Sequence, residues 1–157
     1  MKHTLSVLVR NHSGVLSHVA GRFTRRAYNI ESLIAGVTEN PQISRITIVV
    51  KGDEQVLEQV IKQLRKLIDV IKVHDLSKDR SVEKELALIT IKTSSETRTE
   101  ILQIIAAFGA IVLHLSNDTV TIQVSNSEQE VNNILEVMTR FGVQDVARTG
   151  VLALPIS

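Results

Sequence analysis

The sequence predicts an α+β chain made of two ferredoxin-like βαββαβ units in tandem, the first built on an antiparallel four-stranded sheet. Three observations predict it. Short β-branched runs alternate with apolar stripes of helical period in the order β-α-β-β-α-β. That order occurs twice in 157 residues. A polar, charged stretch from Ser77 to Lys84 separates the two runs. The expected boundaries are therefore a first domain at 1–76, a linker at 77–84 and a second domain at 85–157.

In the first unit, Leu5 to Val9 is short, apolar and β-branched, and reads as a strand. From Gly14 the period becomes helical, with Val15, Leu16, Val19, Ala20, Phe23 and Ala27 on one stripe and His18, Arg22, Arg25 and Arg26 towards solvent. Ile30 to Val37 is the second strand, at a sheet edge in a split βαβ unit, and Glu39-Asn40-Pro41-Gln42 is its turn. Ser44 to Val50 is the third, with Ile46, Ile48 and Val50 alternating against Arg45 and Thr47. Gly52-Asp53 opens a second helix with the stripe Val56, Leu57, Val60, Ile61, Leu64, Leu67 and Ile68, and Val70 to Leu76 closes the unit.

The second unit repeats this plan. Leu86 to Ile91 is a strand, and Thr99 to Phe108 a helix with Ile101, Leu102, Ile104, Ile105 and Phe108 inward. Ala110 to Leu115 and Thr119 to Val124 form a hairpin across Ser116-Asn117-Asp118. Glu128 to Arg140 is a helix with Val131, Ile134, Leu135 and Met138 inward, and Val143 to Ala147 is the last strand. The halves align as Leu5 with Leu86, Ile30 with Ile111, Glu54 with Glu128 and Val70 with Val143, which marks an internal repeat.

Composition narrows the function classes. Aromatic residues make up 3% of the chain and there is no Trp, so the core is aliphatic and base-stacking platforms have little to build on. Zero Cys removes disulfides, thiolate nucleophiles and Cys-ligated metals, and fits a reducing, cytoplasmic setting. No stretch reads as a signal peptide or a bilayer span. Charge divides unevenly: eleven Lys and Arg against seven Asp and Glu in residues 1–76, a balance of +4, and seven against ten thereafter, −3. Catalysis finds no support. The five histidines, His3, His12, His18, His74 and His114, are scattered without metal-ligand spacing, and no GxSxG, P-loop or GxGxxG motif occurs. No catalytic and no metal-binding residue is expected.

The stretch that points to chemistry is Arg10-Asn11-His12-Ser13-Gly14-Val15-Leu16, running from strand end into helix start. Asn11 or Ser13 can cap the helix, and Gly14 permits a sharp backbone turn. Free N–H groups and the positive dipole end make such a turn an anion site. Asn11 offers both an amide oxygen for an ammonium and donors for a carboxylate. No Lys follows Gly14, so a small zwitterion suits the turn better than a phosphate. A second stretch, Tyr28-Asn29-Ile30-Glu31-Ser32-Leu33, opens the edge strand.

Together these stretches resemble the ACT-domain signature of the acetohydroxyacid synthase (acetolactate synthase) small regulatory subunits: Asn11-x-x-Gly14-Val15-Leu16, the helix Ser17 to Arg26, then Asn29-Ile30-Glu31-Ser32-Leu33. The similarity continues through Leu57-Glu58-Gln59, Lys62-Gln63-Leu64-x-Lys66-Leu67-x-Asp69-Val70 and Val146-Ala147-Arg148-x-Gly150-Val151. The resemblance implies a non-catalytic partner that activates a catalytic large subunit and confers feedback inhibition by valine or related branched-chain amino acids. Thiamine diphosphate, Mg and FAD are then expected on the large subunit, with no cofactor on this chain. It also implies a homodimer paired through ACT edge strands. Asn11, Ser13, Gly14, Val15 and Leu16 of one chain would face Asn29 and Ile30 of the other around the effector. One departure is Ala27, where the family usually places Gly; a positive φ there would cost Ala about 1 kcal/mol. The second half carries Ser94-Ser95-Glu96-Thr97 in place of the glycine turn, so it is not expected to bind amino acid in the same way.

Rival readings are an amino-acid-sensing ACT protein serving another enzyme, a nucleic-acid-binding ferredoxin-like module, and a small enzyme on the duplicated fold. The nucleic-acid module requires strand aromatics, which Leu5 to Val9 and Ser44 to Val50 lack.

Overall fold

A computed structural model describes residues 1–26 and 28–157, with Thr24 and Arg25 described through their backbone alone. Ala27, and with it the expected conformational cost at that position, lies outside the described residues. Among these residues the chain forms β1 (Lys2–Arg10), α1 (Val15–Arg26), β2 (Asn29–Val37), β3 (Ile43–Lys51), α2 (Glu54–Arg65) and β4 (Val70–Asp75). The second series is β5 (Ser81–Lys92), α3 (Arg98–Ala107), β6 (Ile111–Leu115), β7 (Thr119–Asn126), α4 (Glu128–Met138) and β8 (Val143–Pro155). The two sheets have the same plan, β2-β3-β1-β4 and β6-β7-β5-β8. This is the duplicated βαββαβ fold that the alternating periods predict. None of the described helices is long and apolar enough to cross a membrane.

Each unit has its own aliphatic core. Leu5, Val7 and Val9 of β1 and Ile46, Ile48 and Val50 of β3 pack with Val15, Val19 and Phe23 of α1 and Leu57, Val60 and Leu64 of α2. Strand alternation and helical period converge on this layer, which is why both patterns are legible in the sequence. β3 differs from the expected alternation. Thr47 and Val49, on the other face of the sheet, are also buried, as are Thr4 and Ser6 of β1. The second core joins Ala87, Ile89 and Ile91 to Ile122, Val124, Ile101, Ile105, Ile134 and Met138.

Several details depart from the sequence reading. Leu86, aligned with the buried Leu5, is 38% exposed, because β5 turns Ala87, Ile89 and Ile91 inward; a shift of one residue moves a strand side chain to the opposite face. Ile111, aligned with Ile30, is exposed as well. Leu16 and Ala20, placed on the buried stripe of α1, face outward. Ile68 is exposed because α2 ends at Arg65, and the helical period that placed it inward ends there too. Ser81 to Lys84 already belong to β5, and β8 runs to Pro155 rather than Ala147. The chain divides into compact units of Met1–Glu83 with Val151–Ser157, and Lys84–Gly150.

The second unit contains one buried ion pair. Glu85 is 3% exposed and receives two hydrogen bonds from Arg148, Nε to Oε1 at 2.6 Å and an Nη to Oε2 at 2.9 Å. The other Nη of Arg148 donates to Asn132 of α4 at 2.8 Å. Hydrogen bonding to Glu85 raises the Arg148 pKa, against the opposing effect of burial, with the charges of Glu85 and Glu128 adding to the rise. A fork-shaped donor on a planar carboxylate fixes β5, β8 and α4 in register. Arg148→Met strands a buried carboxylate and is expected to destabilise the second unit by about 3 kcal/mol. Adding Glu85→Gln should recover part of that loss, as read from urea unfolding midpoints of the two variants.

Candidate functional site

β1 delivers the chain to the start of α1 through a turn that three neighbours hold. The Arg10 N–H donates to the Asp69 carbonyl at 2.9 Å, and the Asn11 N–H to the Gln42 carbonyl at 2.7 Å. The Asn11 side-chain Nδ2 donates to the Pro41 carbonyl at 3.0 Å. Asn11 is thus held by the β2–β3 turn, and it is not the helix cap. Ser13 is exposed and makes no side-chain hydrogen bond among the described residues. Gly14 has φ +87°, a left-handed conformation that permits the reversal into α1. A Cβ at Gly14 would meet nothing closer than His18 Cε1 at 3.9 Å, so its requirement is conformational rather than steric.

The start of α1 differs from the side-chain-capped starts of α2 and α4; that of α3, at Thr97, also lacks a side-chain cap but carries Glu100 in its first turn. Asp53 caps α2 by accepting from the Val56 N–H at 2.9 Å, and Ser127 caps α4 by accepting from Glu130 at 3.2 Å. Acidic residues occupy the first turns of α2, α3 and α4. The first turn of α1 holds no acid. The Val15 N–H reaches the His12 carbonyl at 3.4 Å and the His18 N–H reaches Gly14 at 3.0 Å. The N–H groups of Gly14, Leu16 and Ser17 have no acceptor among the described residues. Unpaired donors and an uncompensated dipole end are what an anionic group would satisfy.

Gly14 and Leu16 line a cavity of about 350 Å³ together with Val9, Arg10, Asn11, His12, Val15, Ala35, Gly36, Val37, Ser44 and Ile46. Ala35 and Gly36 keep the β2 wall low, and a Cβ at Gly36 would meet open space. The volume suits a small ligand, with apolar walls on one side and backbone donors on the other. Of the predicted site residues, Asn11, Gly14, Val15 and Leu16 line it. Ser13 belongs to the same turn without lining the cavity.

Asn29 and Ile30 lie elsewhere in the protomer. Asn29 pairs with Lys51, whereas the cavity end of β2, Val37, pairs with Ser44. Eight residue steps of extended chain, about 26 Å, separate Asn29 from Val37. One chain therefore cannot bring both predicted clusters to one small ligand.

Sequence reading missed the support behind the turn. Asp69 is buried, and its Oδ1 lies 2.7 Å from His12 Nε2 while Oδ2 is 3.9 Å from His18 Nδ1. A carboxylate between two imidazoles secures the turn, and one of them, His12, also lines the cavity. No pattern joins positions 12, 18 and 69, because only the α2–β4 connection brings Asp69 there. Ala35 and Gly36 carried a weak signal, small residues at an edge-strand end. Among the described residues no group of three or more His, Cys, Asp or Glu could hold a metal ion.

A ferredoxin-like unit whose first strand ends in a glycine turn at an uncapped helix start has the architecture of an ACT domain. Residues 5–72 match the family described as AHAS small subunit-like ACT domain, and residues 84–156 match that described as small subunit of acetolactate synthase. The chain belongs to the acetolactate synthase small-subunit family. It is 47% identical over 154 residues to the probable acetolactate synthase small subunit of Archaeoglobus fulgidus, covering 98% of this chain and 96% of that one. It is 43% identical to the Bacillus subtilis acetolactate synthase small subunit, covering 98% and 90%. The crystal structure of the Thermotoga maritima small subunit superposes with a TM-score of 0.91 at 34% identity, over 100% of this chain and 98% of that one. The role of the family is regulatory.

The glycine requirement is open to direct test. Because no atom crowds the added methyl, Gly14→Ala should cost only the strain of positive φ, about 1 kcal/mol. A loss above about 3 kcal/mol in thermal or urea unfolding would mean that a steric clash dominates instead.

Proposed function

We propose that this chain activates the thiamine-diphosphate-dependent acetolactate synthase large subunit and makes it subject to feedback inhibition by valine or a related branched-chain amino acid. The observation that carries the reading is the pair of open donors, Gly14 and Leu16, on the lining of the 350 Å³ cavity, with the unpaired Ser17 N–H next in the same turn. The effector carboxylate takes those N–H groups, and the cavity wall of Val9, Val15, Ala35 and Ile46 takes its aliphatic side chain. Such a wall separates ligands differing by one methylene by only about 1–3 kcal/mol, so valine, isoleucine and leucine should compete.

The ammonium end takes the Asn11 side-chain oxygen, whose amide nitrogen is already engaged with Pro41, and the second predicted cluster can reach it only from another copy. β2 is an edge strand of its sheet, with β3 on one side only. Antiparallel pairing of β2 with β2 of a second copy sets the Asn29 end of one strand against the Val37 end of the other. The Asn29 and Ile30 of that second copy then face the cavity formed by Asn11, Gly14, Val15 and Leu16. The register supports this arrangement, since it is the simplest one that unites clusters separated by the length of a strand. Two equivalent effector sites follow from the two-fold axis. Catalysis and its cofactors belong to the large subunit in this reading, and the chain acts from the cytoplasm.

The second unit supports a division of labour. Its equivalent turn is closed by its own hydroxyls: the Ser94 N–H donates to Thr97 Oγ1 at 3.0 Å, the Ser94 and Thr97 hydroxyls lie 3.1 Å apart, and the Thr97 N–H donates to Ser94 Oγ at 3.3 Å. With that turn closed on itself and an acid, Glu100, in the first turn of α3, no effector is expected there. Coupling of about 1–3 kcal/mol between effector and large subunit corresponds to roughly 5- to 150-fold regulation, and acts equally in both directions.

Isothermal titration with L-valine tests this reading. Wild-type chain should saturate at one valine per chain. Gly14→Asp, which puts a carboxylate among the donors, should lose more than tenfold in affinity, a penalty of about 1.4 kcal/mol or more. Asn29→Ala should weaken binding without altering the monomer fold. Saturation by an Asn29→Ala variant with wild-type affinity would remove the second copy from the site.

A further inference from the structure

Where α2 gives way to β4, the chain presents two apolar side chains that its own packing does not use. Ile68 is 86% exposed, beyond the end of α2 at Arg65. Ile71 is 49% exposed for a different reason. β4 pairs Val70 with Val9 and Lys72 with Leu8, so Ile71 is the extra residue of a β-bulge. A bulge redirects one side chain and ends regular pairing at an edge. Ile71 borders a shallow cavity of about 530 Å³ with Arg10, His12 and Gln42, and Arg10, Asn11 and His12 line this cavity and the candidate effector site alike. Between the two isoleucines sits Asp69, bonded to Arg10 through its carbonyl and facing His12 through its carboxylate.

Cations flank this surface. Arg65, Lys66 and Lys72 are exposed and enter no ion pair among the described residues. The one adjacent carboxylate, Asp69, is buried and faces His12. We infer that Ile68 and Ile71, within the Arg65, Lys66 and Lys72 flank, form the surface by which this chain docks the catalytic large subunit, on an apolar patch rimmed by acidic side chains. Charge selects the occupant. Pairing of this surface with itself across a two-fold axis would set the cations against one another, which disfavours a second copy here. Position explains the regulation. Asp69 is bonded to the effector turn on one side and is flanked by the docking residues in sequence, so a ligand that tightens His12 and Gly14 acts directly on Ile68 and Ile71. This inference rests on the proposed regulatory function and names the contact through which it works.

The test titrates the chain into its catalytic large subunit and reads the concentration that half-activates it, alongside L-valine binding to the chain alone. Ile68→Glu, and separately Lys66→Glu with Lys72→Glu, should raise the half-activating concentration by about tenfold or more. Valine binding and the melting temperature should stay as in wild type, since Ile68 is exposed and outside the effector cavity. Leu113→Glu, on the equally exposed β6 of the second unit, is the comparison and should associate normally. Wild-type association by the Ile68 and Lys66/Lys72 variants, or its loss with Leu113→Glu instead, would overturn the docking assignment while leaving the regulatory reading intact. A wild-type chain that neither binds nor activates the large subunit would overturn both.

Discussion

The constraint on which the rest of the structure depends is the fastening of the β1–α1 turn. Two backbone hydrogen bonds, Arg10 to Asp69 and Asn11 to Gln42, tie its entry to the α2–β4 connection and to the β2–β3 turn. The positive φ of Gly14 then reverses the chain into α1. A free turn of this kind would find internal partners for its donors, as the Ser94–Thr97 turn of the second unit does. Fastened from both sides, it holds Gly14, Leu16 and Ser17 open. The cost of leaving those donors unpaired is offset by the aliphatic core beneath, where Val9, Val15 and Val19 are almost fully buried.

The two ferredoxin-like units share one topology and differ where their first helices begin. The first unit has an open helix start, an edge strand with small residues at its end, and an excess of positive charge. In the second unit the turn is closed, and the buried Glu85–Arg148 pair locks β5, β8 and α4 together. A bidentate buried pair adds specificity of register more than stability. In the proposed reading the same topology serves once as a receptor and once as a rigid body.

Regulation by a small ligand needs differential contact between two states. The cavity is bounded by the ends of β1 and β2, the beginning of β3 and the start of α1. Asp69 is central in this respect. Its carbonyl, its carboxylate and its sequence neighbours belong respectively to the β1 end, the two histidines and the exposed isoleucines. A movement at any one of these is felt at the others without a long pathway.

The sequence by itself determined the order of the twelve elements, the two aliphatic cores and the glycine turn. Each of these is written in local terms: period two or 3.6, β-branched content, a helix opening after Gly14. The alignment of Leu5 with Leu86 failed because similarity between repeats carries no information about which face a strand turns inward. The stripe of α2 ran on to Ile68 because periodicity does not reveal where a helix stops. Asn11 reads from the sequence as a possible cap, and only the position of Pro41 makes its side chain a tether instead. The His12–Asp69 contact, the small-residue wall at Ala35 and Gly36, and the strand length between Asn29 and the cavity are tertiary facts. They arise where segments distant in the chain meet, and no spacing along the sequence encodes them.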